Sequence, residues 1–158
     1  MIEIKDTARK LMLAAALLFL PTLASAQSII SAGAGIGGGV GDRNHDNSGS
    51  ALHALGYVMV HPPLFPIGFR ADALFSKVSN NGTALSLIGD AVFLAPLPLV
   101  QPYALLGYGH YGIGKEGQSS GWNAGVGVRL HLPAITVFGE ARRHQRISRD
   151  LLTLGISL

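Results

Sequence analysis

The sequence predicts an all-β fold: an eight-stranded antiparallel up-and-down barrel that crosses a membrane. Three observations point there. Apolar and polar residues alternate with period two along most of the chain, which marks strands with two unlike faces. Most alternating segments are close to the ~9–11 residues of a tilted membrane-crossing strand. The connections between them alternate in kind, polar at one end and short and proline-bearing at the other.

Residues 1–26 read as a secretory signal peptide. Lys5, Arg9 and Lys10 form a basic flank, Leu11 to Leu20 an apolar run, and Pro21 a helix breaker. Ala24-Ser25-Ala26 then offers the small residues a signal peptidase inspects. The apolar run falls well short of the ~20 residues a spanning helix needs. Cleavage after Ala26 leaves 27–158 as one domain. Losing Lys5, Arg9, Lys10, Glu3 and Asp6 moves the net charge only from +3 to +2, which gives no basis for nucleic-acid binding. With no cysteine, neither a disulfide nor a lipid-modified thiol is available. Charged residues make up 13% of the chain, against about 25% in an average soluble protein. That is too few for an exported surface facing water.

The elements follow in order. The first strand, 29–41, contains "SAGAGIGGGVG", with Gly33, Gly35, Gly37, Gly39 and Gly41 on one face. Looser strands at 50–60, 83–95 and 102–113 place His53, Asp90 and His110 opposite mostly apolar sides. In "PIGFRADALFS", 66–76, Ile67, Phe69, Ala71, Ala73 and Phe75 oppose Gly68, Arg70, Asp72 and Ser76. In "GWNAGVGVRLHL", 121–132, Trp122 through Leu132 at even positions oppose Asn123, Gly125, Gly127, Arg129 and His131. "AITVFGEAR" sets Ile135, Val137 and Ala141 against Thr136, Glu140 and Arg142. "LLTLGISL" sets Leu152, Leu154, Ile156 and Leu158 against Thr153, Gly155 and Ser157. The charge-free stretch 91–114 is no spanning helix, because Pro96, Pro98, Pro102 and several glycines would break it.

Segments 42–50, 77–83, 115–121 and 143–150 form the polar connections, while 61–66, 95–101 and 132–134 carry the prolines. An eight-stranded interior is just wide enough for side chains to fill. The long apolar faces therefore look outward to lipid. Inside, Arg70, Asp72, Asp90, His110, Arg129, Glu140 and Arg142 form a polar lumen network. Phe69, Phe93 and Tyr103 near the proline turns, with Phe75, Tyr111 and Trp122 near the polar loops, read as two interfacial girdles. The first strand's glycines leave inward room for Arg70, Tyr108, Arg129 and Arg142.

The stretches "YALLGYGHYGIG", "GWNAGVGVRLHLPAITVFGEARRH" and "LLTLGISL" resemble the last four strands of the small OmpA/OmpX-type outer-membrane β-barrels. The resemblance implies an outer-membrane location, this fold, and recognition by the barrel-assembly machinery; the barrel reading itself places both termini in the periplasm. Such barrels usually end in an aromatic residue, whereas this chain ends in Leu158. The resemblance implies no particular activity.

Motifs of other chemistries are weak. Gly33, Gly35 and Gly38 spell G-x-G-x-x-G, but a polar loop follows where a dinucleotide site needs a helix. His45, His53, His61, His110, His131 and His144 include no metal-ligand spacing. Asn81-Gly82 reads as a tight turn. Glu140, His144 and Ser148 contain the residue types of the outer-membrane lipid A deacylases, but His and Ser are four apart where that pattern has two. Arg143, Arg146 and Arg149 on the last polar loop suit contact with lipopolysaccharide phosphates. The expected role is structural or surface-interacting rather than catalytic, with no cofactor or metal and with outer-membrane lipid and lipopolysaccharide as partners of a monomer. The alternatives are a narrow weakly conducting channel, a lipid A-modifying enzyme, or a soluble lipocalin-like periplasmic binder.

Overall fold

A computed structural model describes residues 29–41, 51–62, 65–78, 82–114, 118–145 and 149–158. The proposed signal peptide, most of the polar connections, and Arg146 and Ser148 lie outside the described residues. Eight strands follow in order: β1 (Ile30–Gly41), β2 (Ala51–Val60), β3 (Ile67–Val78), β4 (Gly82–Leu94), β5 (Val100–Ile113), β6 (Ser119–His131), β7 (Thr136–His144) and β8 (Arg149–Ser157). Each pairs antiparallel with its sequence neighbour, and β8 pairs with β1, so the sheet closes on itself. Leu158 completes the seam by exchanging backbone hydrogen bonds with Ala32 at 2.9 and 3.2 Å. Closure leaves no edge strand, so the ladder satisfies its own N–H and C=O groups.

Strict alternation fixes which wall each side chain joins. In β3, Arg70, Asp72 and Leu74 are buried while Phe69, Ala71 and Phe75 are exposed. In β8, Leu151, Thr153 and Ser157 are buried and Leu152, Leu154 and Ile156 exposed. The exposed wall is thus the apolar one, with Ile36, Leu52, Val126 and Leu154 among its members. A water-soluble barrel would carry these residues inside.

One irregularity interrupts the ladder. Leu85 faces Ile113 and Leu87 faces His110, so β5 holds one extra residue, and Gly112 beside it has φ 72°. This is a β-bulge, with glycine where a side chain would be strained. Gly82 at φ 68° opens β4 after the Asn81-Gly82 turn signal.

Candidate functional site

Among the described residues, inward side chains from all the strands after β1 pack the lumen. At its centre lie two arginines and three carboxylates, brought together by β3, β4 and β7. Arg70 donates to Asp72 through Nη2 at 3.0 Å, with Nε in ion-pair contact at 2.9 Å, and forks onto Glu140 through Nη1 at 2.8 Å and Nη2 at 3.1 Å. Arg142 touches all three acids: Asp72 at 2.8 Å, Asp90 at 3.1 Å and Glu140 at 2.8 Å. The side chains of Arg70, Asp72 and Asp90 have no solvent exposure. Charge-assisted forks of this kind hold planar groups in fixed orientations. Three acids stand against two bases in the cluster.

Arg129 is also buried, but a layer nearer the proline-bearing turns. Its guanidinium lies 5.5 Å from the centroid of the Tyr103 ring and donates to the Tyr57 hydroxyl at 3.3 Å. Tyr103 in turn donates its hydroxyl to Glu140 at 2.8 Å. Arg129 therefore joins the cluster through a phenol rather than through an ion pair. Tyr57, Met59, Val92, Leu94, Leu105 and Phe138 add buried apolar bulk to the lumen.

On the polar-loop side of the cluster, His53 pairs with Thr153 at 2.7 Å and His144 with the Tyr111 hydroxyl at 2.8 Å. A partly open space of about 10 Å³, on the scale of a single water, lies between Leu55, Leu74, His144 and Thr153.

Several expectations need correction. His110 is not in the lumen. It stands exposed on the outer wall, bonded to Ser120 at 2.7 Å and Gln118 at 3.2 Å. The reason lies in Gly107, the register partner of Asp90: a Cβ there would collide with the Asp90 carboxylate and the Gly89 carbonyl. The cluster thus requires glycine to face inward at 107, and parity then sends Tyr108 and His110 outward. The same parity brings Tyr103 and Tyr111 inside, so neither belongs to an aromatic girdle. Tyr108 instead packs edge-to-face on Trp122 at 5.3 Å, on the outer wall.

The inward glycines of β1 make room, but not for arginine. Gly33 faces the Tyr57 ring, Gly35 faces Thr153 and Phe138, Gly37 faces His53, and Gly39 faces Leu151. Among the three loop arginines, Arg149 is 6% exposed and points into the lumen mouth, because odd positions of β8 face inward. Arg143 is exposed and bonded to Asp150 at 3.0 Å. Of the deacylase residue types, Glu140 is committed to the ion cluster and His144 is wholly buried. Among the described residues, no three His, Asp or Glu side chains are set to hold a metal.

The aromatic members of the lumen were missed by sequence reading, though a signal existed. Each inward glycine implies a large side chain opposite it, so the glycines of β1 pointed to Tyr57 and Phe138.

Similarity to solved structures matches this geometry. A designed transmembrane β-barrel superposes with a TM-score of 0.54 at 14% identity, covering 80% of this chain and 92% of that one. Neisserial surface protein A gives 0.57 at 14% identity, covering 82% and 94%. The N-terminal β-barrel domain of Pseudomonas aeruginosa OprF gives 0.52 at 13% identity, covering 80% and 95%. The shared property is the fold. No family model matches the sequence, and comparison with curated proteins finds no match.

Proposed function

We propose that this chain is a small integral outer-membrane protein whose lumen is plugged and whose role is structural or surface-interacting. The observation that carries the reading is the inversion of its two walls. Five ionisable side chains are sealed at the centre, while leucine, isoleucine and valine stand exposed around the circumference. Water would penalise that outer wall, and lipid matches it.

In this reading residues 1–26 direct export, the barrel-assembly machinery inserts the chain, and both termini face the periplasm. The polar connections face outside. The protein acts as a monomer among outer-membrane lipid and lipopolysaccharide, without nucleic acid, cofactor or catalysis. The sealed cluster supports a plug rather than a pore, since an ion crossing the lumen would have to break several short ion pairs.

Fractionation tests the reading. The protein should sediment with the outer membrane and migrate faster unheated than heated on gels. Recovery as a soluble periplasmic protein would sink it. In planar bilayers the refolded barrel should give no steady conductance, and stable open channels would replace the plug with a narrow channel.

A further inference from the structure

The outer wall holds a concavity next to an unusual charge. A groove of about 590 Å³ crosses β4 to β8. One row of register partners runs through it: Phe93, Ala104, Val126, Ala141 and Leu152. Ala104 and Ala141 are the low points of this shallow, open groove, with Val126 standing between them and Phe93 and Leu152 as its banks. In the next row, nearer the proline turns, Gly139 faces Val128 and deepens the floor.

Arg143 stands two residues along β7 from Ala141 on the same wall, about 7 Å further toward the polar loops. Its side chain is 60% exposed. Asp150 engages it through Nη1 alone, at 3.0 and 3.1 Å, so Nη2 and Nε have no partner among the described residues. Ala124, opposite Arg143, adds no bulk. Trp122, two residues along β6 from Ala124, packs against Tyr108 on the outer wall, as aromatic pairs do at a membrane interface. A cation thus stands one row beyond the loop-side end of an apolar trough, which runs away from it toward the proline turns as far as Pro102. Lys77, at the loop end of β3, stands four strands away in the closed ring and lines no part of this groove.

We propose that the groove and Arg143 form one binding site for a phosphorylated lipid. An acyl chain lies over Ala104 and Ala141, and a phosphate takes the free edge of the Arg143 guanidinium, whose fork matches phosphate oxygens. Resting on the outer-membrane reading above, the polar-loop end lies in the outer leaflet, and the lipid is the lipid A portion of lipopolysaccharide.

The full barrel is refolded into phosphatidylcholine vesicles containing lipid A, phosphatidylglycerol or neither. Emission of Trp122, the single tryptophan, is followed as the anionic fraction rises. The expected result is a saturable change with lipid A, weakened about tenfold by Arg143→Gln, the worth of one charged hydrogen bond. Ala141→Phe, which fills the groove without touching the lumen, should weaken it similarly, and Lys77→Gln should not. Equal titrations of wild type and Arg143→Gln would overturn the site. So would an equal response to phosphatidylglycerol, or light scattering that shows a dimer converted to monomer by Ala141→Phe, which assigns the groove to a second copy. Heat-modifiable migration is measured in every sample. A chain that never inserts overturns the membrane reading, whereas an inserted barrel indifferent to lipid A overturns this site alone.

Discussion

At Gly37 a Cβ would meet the His53 ring and the Leu152 carbonyl, whereas at Gly56 and Gly89 it would meet open space. The first faces the lumen and the other two face outward. The same residue type therefore does different work on the two walls. Inside, glycine is half of a fit, the hole that receives a side chain, most often from its register partner on the neighbouring strand. Outside, it is only a position where the lipid-facing surface is low. Charge divides in the same way. Inside, the two arginines and three carboxylates of the central cluster are ion-paired to one another. Outside, among the described strand residues, Lys77, Arg143 and Asp150 sit only toward the polar-loop end.

The contrast can be broken most forcefully at the ion cluster. Arg70→Ala strands Asp72 and Glu140 without their forked partner. Removing one member of a buried ion pair typically costs about 3–5 kcal/mol, read here as a lowered urea midpoint for the refolded barrel. A midpoint unchanged from wild type would mean that the carboxylates find another partner or water.

The outer wall is tested next by Leu154→Arg, midway along β8 and 64% exposed. In a bilayer, a midplane arginine should cost about 2–4 kcal/mol. In a soluble barrel the same change would raise solubility at little cost, so the sign of the effect decides which solvent the wall meets.

Gly37→Ala against Gly56→Ala then measures the glycine contrast itself. Overpacking at Gly37 should cost about 1–3 kcal/mol, because the Leu152 backbone cannot swing aside. Gly56→Ala should be neutral or stabilising by up to about 1 kcal/mol. Equal unfolding midpoints for the two variants would show that the lumen repacks freely. The smallest effect belongs to Tyr111→Phe, which removes the hydroxyl bonded to His144. A loss of about 0.5–1.5 kcal/mol is expected, and amide exchange in β5 and β7 should report where it falls.

How much of this was legible in the sequence depended on how clean the alternation was. In 66–76 and 121–132 charged and apolar residues strictly take turns, so Arg70, Asp72 and Arg129 were assigned to the correct wall from spacing alone. In 102–113 both parities carry apolar or aromatic residues: Tyr103, Leu105 and Tyr111 on one, Leu106 and Tyr108 on the other. With His110 as the polar marker, the parity of this segment reads reversed. The marker that mattered was Gly107. Its meaning depends on Asp90, which is distant in sequence and adjacent only in the closed sheet. Arg149 was misplaced for a related reason, since its loop position suggested exposure while the parity of β8 turned it inward.

Period-two alternation, the strand lengths and the two kinds of connection determined the class, the strand count and the inverted polarity of the walls, because each is a local property of the chain. Which side chains meet inside was decided by the tertiary structure. Only ring closure sets the register around the barrel, and only register brings Arg70, Glu140 and Arg142 into one cluster and places Tyr57 over Gly33. The groove beneath Arg143 belongs to that second category too, since its floor is assembled from single small residues on separate strands.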